Sequence, residues 1–477
     1  LSSGESGLVG PGSAPPTDDA PVWAAGDGTG SFAGDTGIAL ACQIAGFVVT
    51  GILAVIYARV LGAEGKGMLA IFALIPGMVT VMVNLGIDSA NSYLVAAKRS
   101  PVELVAGNSV AMVLLLSALC AGVYAMLVHA RTVLFGEMSL PLLLISFCLV
   151  PSMLFTRYMY GMLVGLRRVA EAAFTGLISG LVTLLLTLLL VVGVRGGLYG
   201  AVTSMAIGSV AGAIGGAVLL GGKTWRRLSF RLDVLRQAIS FGIRGQWGSV
   251  VGFFNYRLDM FIVNGLVGPA EVGYYSVAVT LGELLWYLPS AASVSLLPRV
   301  AAAPSEAKHM TLKVVHVLLA TLCLAAVLLL LVARPLVDLL FSARFRSSLV
   351  PLALLLPGVV LLGISKILNA DLVGRGKPEL GSVAATAALL VTVPGNIILV
   401  PRYGIAGAAA ASTLAYGTLS VLNMLFFCRE SGSSLAELLV IRPREVWAMW
   451  LLCWRKGSGP LFRALRTCAT NTWFARR

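Results

Sequence analysis

The sequence predicts an all-α polytopic membrane protein, with twelve transmembrane helices in two six-helix lobes related by a pseudo-two-fold axis along the membrane normal. Three observations predict it. Of 477 residues, 58% are hydrophobic and only 12% are charged, whereas a soluble domain carries about 25% charged residues. The apolar residues fall in twelve runs long enough to cross a bilayer. Short motifs from the first half recur in the second at a nearly constant displacement.

The composition excludes a soluble fold, because one core of this size with so little polar skin violates surface-to-volume scaling. A helix needs about 20 apolar residues to cross about 30 Å of hydrocarbon. The candidate spans are 37–60, 68–95, 104–129, 139–165, 172–193, 197–220, 240–265, 272–298, 314–333, 348–370, 380–400 and 405–428. Their runs are continuous rather than alternating, which favours helices over barrel strands. The 53 glycines suit close helix approach.

Gly62-Ala-Glu-Gly-Lys-Gly67 follows span 1, and Gly268-Pro-Ala-Glu-Val-Gly273 follows span 7, 206 residues later. Arg195-Gly-Gly-Leu-Tyr-Gly-Ala201 precedes span 6, and Arg402-Tyr-Gly-Ile-Ala-Gly-Ala408 precedes span 12, 207 residues later. Val164-Gly165 and Val373-Gly374 close spans 4 and 10, displaced by 209. Three matches at equivalent loops define two six-helix halves. An even number of helices gives both halves one orientation, as in alternating-access transporters with a path between the halves. The expected organisation is a disordered tail at 1–35, an N-lobe at 36–221, a linker at 222–239, a C-lobe at 240–428 and a basic tail at 429–477. The first 35 residues lack the basic segment of a signal peptide.

The net charge is +14. In a soluble protein this would suggest nucleic acid; here the charge distribution gives topology instead, and no nucleic-acid partner is expected. Connections after even-numbered spans carry fourteen Lys and Arg, those after odd-numbered spans eight, and the tail from 429 nine more. The positive-inside rule then puts both termini in the cytoplasm. Three tryptophans in Val446–Trp454, beside Arg455, Lys456 and Arg463, read as an interfacial helix on an anionic leaflet. The seven cysteines and three histidines show no metal spacing, and no phosphate-binding loop or nucleophile elbow is present. No metal, cofactor or enzymatic activity is expected.

Ionisable groups inside a span are costly and usually face a cavity. They are Asp88 (span 2), Arg157 (span 4), Arg244, Arg257 and Asp259 (span 7), Glu283 (span 8) and Lys366 (span 10). The four cations Arg257, Arg157, Arg244 and Lys366 suit a phosphate or pyrophosphate head, since guanidinium pairs bidentately with phosphate oxygens. The bland alternative is that Arg244 and Lys366 snorkel and Arg257 pairs with Glu283 or Asp88. Asp88, Asp259 and Glu283 stand between ion coupling and structural pairing. Trp247, Phe253, Phe254 and Tyr256 on span 7 offer either a sugar-stacking face or ordinary core packing.

These residues carry a family resemblance. Asn84-Leu-Gly-Ile-Asp-Ser-Ala-Asn-Ser-Tyr93, Arg257-Leu-Asp259 with Gly268-Pro-Ala-Glu-Val-Gly-Tyr-Tyr-Ser-Val-Ala278, Leu288-Pro289, Leu297-Pro-Arg299, Gly374-Arg-Gly-Lys-Pro378 and Pro401-Arg-Tyr-Gly-Ile-Ala-Gly-Ala-Ala-Ala-Ala-Ser412 come in an order and spacing that resemble the Wzx-type polysaccharide flippases. Those belong to the multidrug/oligosaccharidyl-lipid/polysaccharide exporter superfamily. The resemblance covers roughly 37–428. It implies a central cationic cavity and an undecaprenyl-pyrophosphate-linked oligosaccharide moved from the cytoplasmic to the periplasmic leaflet of a bacterial inner membrane. It also implies coupling to a proton or sodium gradient in some members. Surface polysaccharides such as lipopolysaccharide or exopolysaccharide would be the product, with a polymerase and chain-length machinery as candidate partners beside membrane lipids. The competing readings are a multidrug or cation antiporter of the same superfamily, which would favour acidic cavity residues, and a scaffold without transport.

Overall fold

The computed structural model describes residues 29–130, 140–303 and 307–439. Of the disordered tail expected at 1–35, residues 1–28 lie outside the described residues and the rest is helical, since the first helix already starts at Thr29; the expected interfacial helix at 446–454 also lies outside them. Every regular element among them is helical.

Among the described residues, nine helices are long and apolar enough to cross a membrane by length and composition. Two of them are each two spans fused across a kink. Thr29–Val83 holds spans 1 and 2 and breaks at Gly62, and Pro378–Ser431 holds spans 11 and 12 and breaks at Gly404. Span 7 is Leu232–Leu266, 35 residues long, whose charges keep it out of the apolar set. The described residues therefore make twelve passes. The others are Val102–Ala130, Leu140–Gly165, Val169–Thr187 continued by Leu188–Gly193, Gly197–Leu220, Pro269–Glu283 continued through Leu284–Trp286 into Tyr287–Ala302, Ala307–Leu340 and Leu349–Gly374.

Two differences from the sequence reading matter for the site. Span 2 does not run unbroken to 95. It stops at Val83; Leu85 and Gly86 adopt left-handed φ of 53° and 68°, and a separate helix Ile87–Ala96 follows. Span 7 begins at Leu232, inside the stretch read as linker, after a short helix Gly222–Arg226.

The repeat is visible in the backbone. Gly62 and Gly268 have φ of 71° and 116°, and Gly197 and Gly404 have φ of 56° and 58°. Positive φ costs a glycine nothing and other residues strain, so the same residue type recurs where the same turn recurs. Spans 4 and 10 end at Gly165 and Gly374, each followed by a residue with positive φ, Arg167 and Gly376.

The lobes meet at two seams. At the face carrying the odd-numbered connections, the two halves of the first repeat pack on each other. A methyl group on Gly67 would sit 1.7 Å from the Pro269 carbonyl oxygen, and one on Gly273 would sit 1.9 Å from the Ala63 carbonyl oxygen. Arg59 in span 1 donates to the Leu340 carbonyl at 2.8 Å and to that of Leu339. At the opposite, even face, Gly86 meets Gly242, with a methyl on Gly86 only 2.2 Å from the Gly242 carbonyl oxygen. Tyr93 stacks on Phe241 with ring centroids 4.5 Å apart, and Gln246 donates to the Val81 carbonyl. Beyond span 12 the chain folds back. Ser434 and Glu437 exchange backbone–side-chain hydrogen bonds of 3.2 and 3.1 Å, a capping box for Leu435–Leu439, and Leu438 is fully buried.

Backbone cannot yield as a flexible side chain does, so Gly273→Val is expected to lower the melting temperature in detergent, by an overpacking cost of at least about 1–3 kcal/mol. Gly122→Val, at a position with open space around it, is expected to leave the melting temperature unchanged.

Candidate substrate cavity

A cavity of about 720 Å³ lies between the lobes, lined by spans 1, 2, 4, 5 and 6 of the N-lobe and spans 7 and 8 of the C-lobe. Its charged lining is Lys66, Arg157, Arg257 and Glu283. Three cations face one acid.

The cations sit at three depths. At 1.5 Å per residue, Arg157 is about 12 Å from the even end of span 4. Arg257 is about 13 Å from the odd end of span 7, and Lys66 about 6 Å beyond the Gly62 kink. Helix ends and register therefore set a ladder that no single span could supply.

Each group is held differently. Arg257 Nη1 lies 2.9 Å from Glu283 Oε1, across spans 7 and 8, with both side chains about a quarter exposed. Arg157 Nη1 is 3.7 Å from Asp88 Oδ2, and its side chain is 43% exposed, so it remains free to meet a second anion. Asp88 stands in the first turn of Ile87–Ala96, where the break in span 2 places it. There Asn84 Nδ2 and the Ser89 amide donate to its Oδ1 at 2.9 and 2.8 Å. Lys66 is almost wholly buried and donates to Ser276 Oγ at 2.6 Å.

The remaining sequence candidates lie elsewhere. Asp259 is buried beneath the cavity wall in the C-lobe. It accepts from Tyr275 Oη at 2.5 Å, Ser412 Oγ at 2.9 Å and the Met260 amide at 2.8 Å. Arg257 and Asp259 are thus close in sequence but serve different neighbours, as their positions two apart on a helix require. Lys366 Nζ lies 4.8 Å from the Trp286 ring centre and donates to Ser290 Oγ at 3.2 Å, away from the cavity lining. Arg244 is exposed near the even face and does not line the cavity. The span 7 aromatics do not form one face: Tyr256 packs with Trp286 and Tyr416 in the C-lobe core, and Trp247 donates to Thr386 Oγ1 at 3.2 Å.

Lys66 was missed in the sequence, where Gly62–Gly67 reads as a loop. The helix restarts directly after Gly62, placing Lys66 one turn inside span 2. The repeat held the signal: 206 residues on, Lys66 corresponds to Val272, which is fully buried. Among the described residues no group of three or more His, Cys, Asp or Glu is placed to hold a metal ion.

Residues 32–303 match the family described as polysaccharide biosynthesis protein. A Haloferax volcanii protein named "Probable low-salt glycan biosynthesis flippase Agl15" is 22% identical over 180 residues, which is 37% of this chain and 38% of that one. That alignment spans well under half of either protein. The lipid II flippase MurJ in an inward closed conformation superposes with a TM-score of 0.70 at 15% identity, covering 87% of this chain and 93% of that one. An inward-facing multidrug resistance MATE family transporter of the MOP superfamily superposes with a TM-score of 0.68 at 16% identity, covering 81% of this chain and 95% of that one. At such identities these likenesses establish the shared fold.

The Arg257–Glu283 pair gives a stability test. Removing one partner leaves the other charge half-desolvated, so Arg257→Ala and Glu283→Ala are each expected to cost about 1–3 kcal/mol, less than a fully buried pair. The double variant is expected to cost less than the sum, as melting temperatures in a double-mutant cycle would read out.

Proposed function

The chain belongs to the polysaccharide biosynthesis protein family, and from that premise we propose that it is a flippase for a lipid-linked oligosaccharide whose pyrophosphate rides the cationic cavity. The observation that carries this reading is the cavity's charge balance, with Lys66, Arg157 and Arg257 against Glu283. A charged group at the bilayer centre costs roughly 2.5–3.5 kcal/mol on insertion scales and more in simulations, and a pyrophosphate carries at least two such charges. Guanidinium and ammonium groups at successive depths replace its lost water, while the lipid tail stays in the bilayer.

The proposed cargo is an undecaprenyl-pyrophosphate-linked oligosaccharide destined for a surface polysaccharide, with polymerase and chain-length machinery downstream. The Lys and Arg bias supports both termini in the cytoplasm of a bacterial inner membrane, which makes the even face cytoplasmic and the odd face periplasmic. The two seams then act as alternating gates, opened in turn as the lobes rock. Such a device moves its cargo without changing it chemically. Asp259 is the proposed site of proton or sodium coupling. Its carboxylate accepts three hydrogen bonds and has no cation at ion-pair distance among the described residues. Glu283 and Asp88 are already engaged by arginines. The antiporter reading shares the fold, but a net cationic cavity repels a cationic drug.

The test is surface polysaccharide in a deletion strain complemented with variants. Arg157→Ala and Arg257→Ala are each expected to reduce it about tenfold or more, the effect of about 1.4 kcal/mol or more of lost stabilisation, with drug susceptibility unchanged. Intact polysaccharide with altered drug susceptibility would reject the flippase. Polysaccharide lost on deletion but intact in both variants would favour a scaffold.

A further inference from the structure

Lys66 is 7% exposed, lines the cavity, and forms no ion pair among the described residues. Such a cation is expensive unless something other than a carboxylate holds it. What holds it crosses the lobes. Lys66 Nζ in span 2 donates to Ser276 Oγ in span 8 at 2.6 Å, and Ser276 Oγ in turn donates to the Gly273 carbonyl at 2.8 Å. The direction is fixed, since an ammonium can only donate and the serine proton is committed to the carbonyl. Gly273 is the residue whose Cα packs directly on the Ala63 carbonyl at the odd-face seam. The chain Lys66, Ser276, Gly273 thus ties the cavity to the closed gate.

Resting on the flippase reading, we infer that Lys66 is the cargo-sensing latch of the odd-face gate. An anionic phosphate oxygen in the cavity is a stronger acceptor for an ammonium than a serine hydroxyl. When the cargo's pyrophosphate reaches the outermost step of the ladder, it draws Lys66 off Ser276 and removes a bond between the lobes at the seam. Only a loaded cavity then opens outward. Arg157 and Arg257 do not serve this role, because their partners Asp88 and Glu283 do not lie at the Gly67–Gly273 contact. A neutral or cationic molecule leaves Lys66 in place.

The latch is read from the gate. Val272 is fully buried beside Gly273, so Val272→Cys, in a chain whose native cysteines are replaced by alanine, reacts with a maleimide only when the seam opens. The protein is placed in lipid nanodiscs, and farnesyl pyrophosphate is the probe. Without probe, labelling is expected to be slow; with probe it should rise about tenfold, the scale set by one hydrogen bond to a charged group. Ser276→Ala, which removes the acceptor and keeps the charge, is expected to label fast without probe. Lys66→Met is expected to label fast as well and to show no further rise with probe. Slow labelling of Ser276→Ala would overturn the latch, as would a rise with probe that persists in Lys66→Met. Probe binding, followed separately by the shift in melting temperature, keeps the two claims apart. Absence of binding to the unmodified protein rejects the flippase reading, whereas binding with slow Ser276→Ala labelling rejects the latch alone.

Discussion

An ionisable group inside hydrocarbon must be compensated, and this constraint organises the core of the molecule. Arg157 has Asp88, Arg257 has Glu283, and Asp371 at the even end of span 10 has Arg375 and Thr311. Asp259 has Tyr275 and Ser412, Lys366 has Trp286 and Ser290, and Lys66 has Ser276. Asp259 is held within one lobe by hydrogen bonds alone. Arg157, whose partner stands 3.7 Å away, lines the cavity, as do Arg257 and Lys66 with closer partners. The same energetics that would exclude these charges from a lipid-facing helix thus place them on the surface where two lobes enclose water-accessible space.

The lobes can enclose that space because the repeat supplies glycines at matching turns. Gly67 and Gly273 occupy equivalent positions in the two halves and let the helices touch backbone to backbone. A contact made by backbone atoms is short-ranged and all-or-none, so it suits a gate better than a soft interface of long side chains would. Gly86 and Gly242 make a comparable contact at the other face. Membrane helices lack a hydrophobic drive to associate and depend on such close packing. The fold that carries both seams is the one shared with MurJ and the MATE transporters.

Most of the frame was legible in the sequence because it is written in composition and period. Twelve apolar runs became twelve passes, and motifs 206 to 209 residues apart became turns of the same φ sign. Span 7 was readable despite Arg244, Arg257 and Asp259, since the runs between them are long. The Arg257–Glu283 pair was one of two partners open to Arg257, and only the packing of spans 7 and 8 chooses between them. The break at Leu85-Gly86 was less legible: Asn84-Leu-Gly-Ile-Asp88 carries a turn signal inside an otherwise apolar stretch. Lys66 was hidden because charge next to glycines reads as a loop. Its burial depends on how far span 2 is rotated, which the Gly67–Pro269 contact fixes from the other lobe.

The central claim is that the cavity selects an anionic lipid head by charge at three depths. It is tested most directly by equilibrium competition binding to purified protein in nanodiscs, comparing a prenyl pyrophosphate, a prenyl monophosphate and a quaternary ammonium of matched chain length. The account predicts that the pyrophosphate binds best, that its affinity falls with salt, and that replacing Lys66, Arg157 and Arg257 together with glutamine abolishes the preference. Tighter binding of the quaternary ammonium, or a pyrophosphate preference that survives the triple replacement, would contradict it.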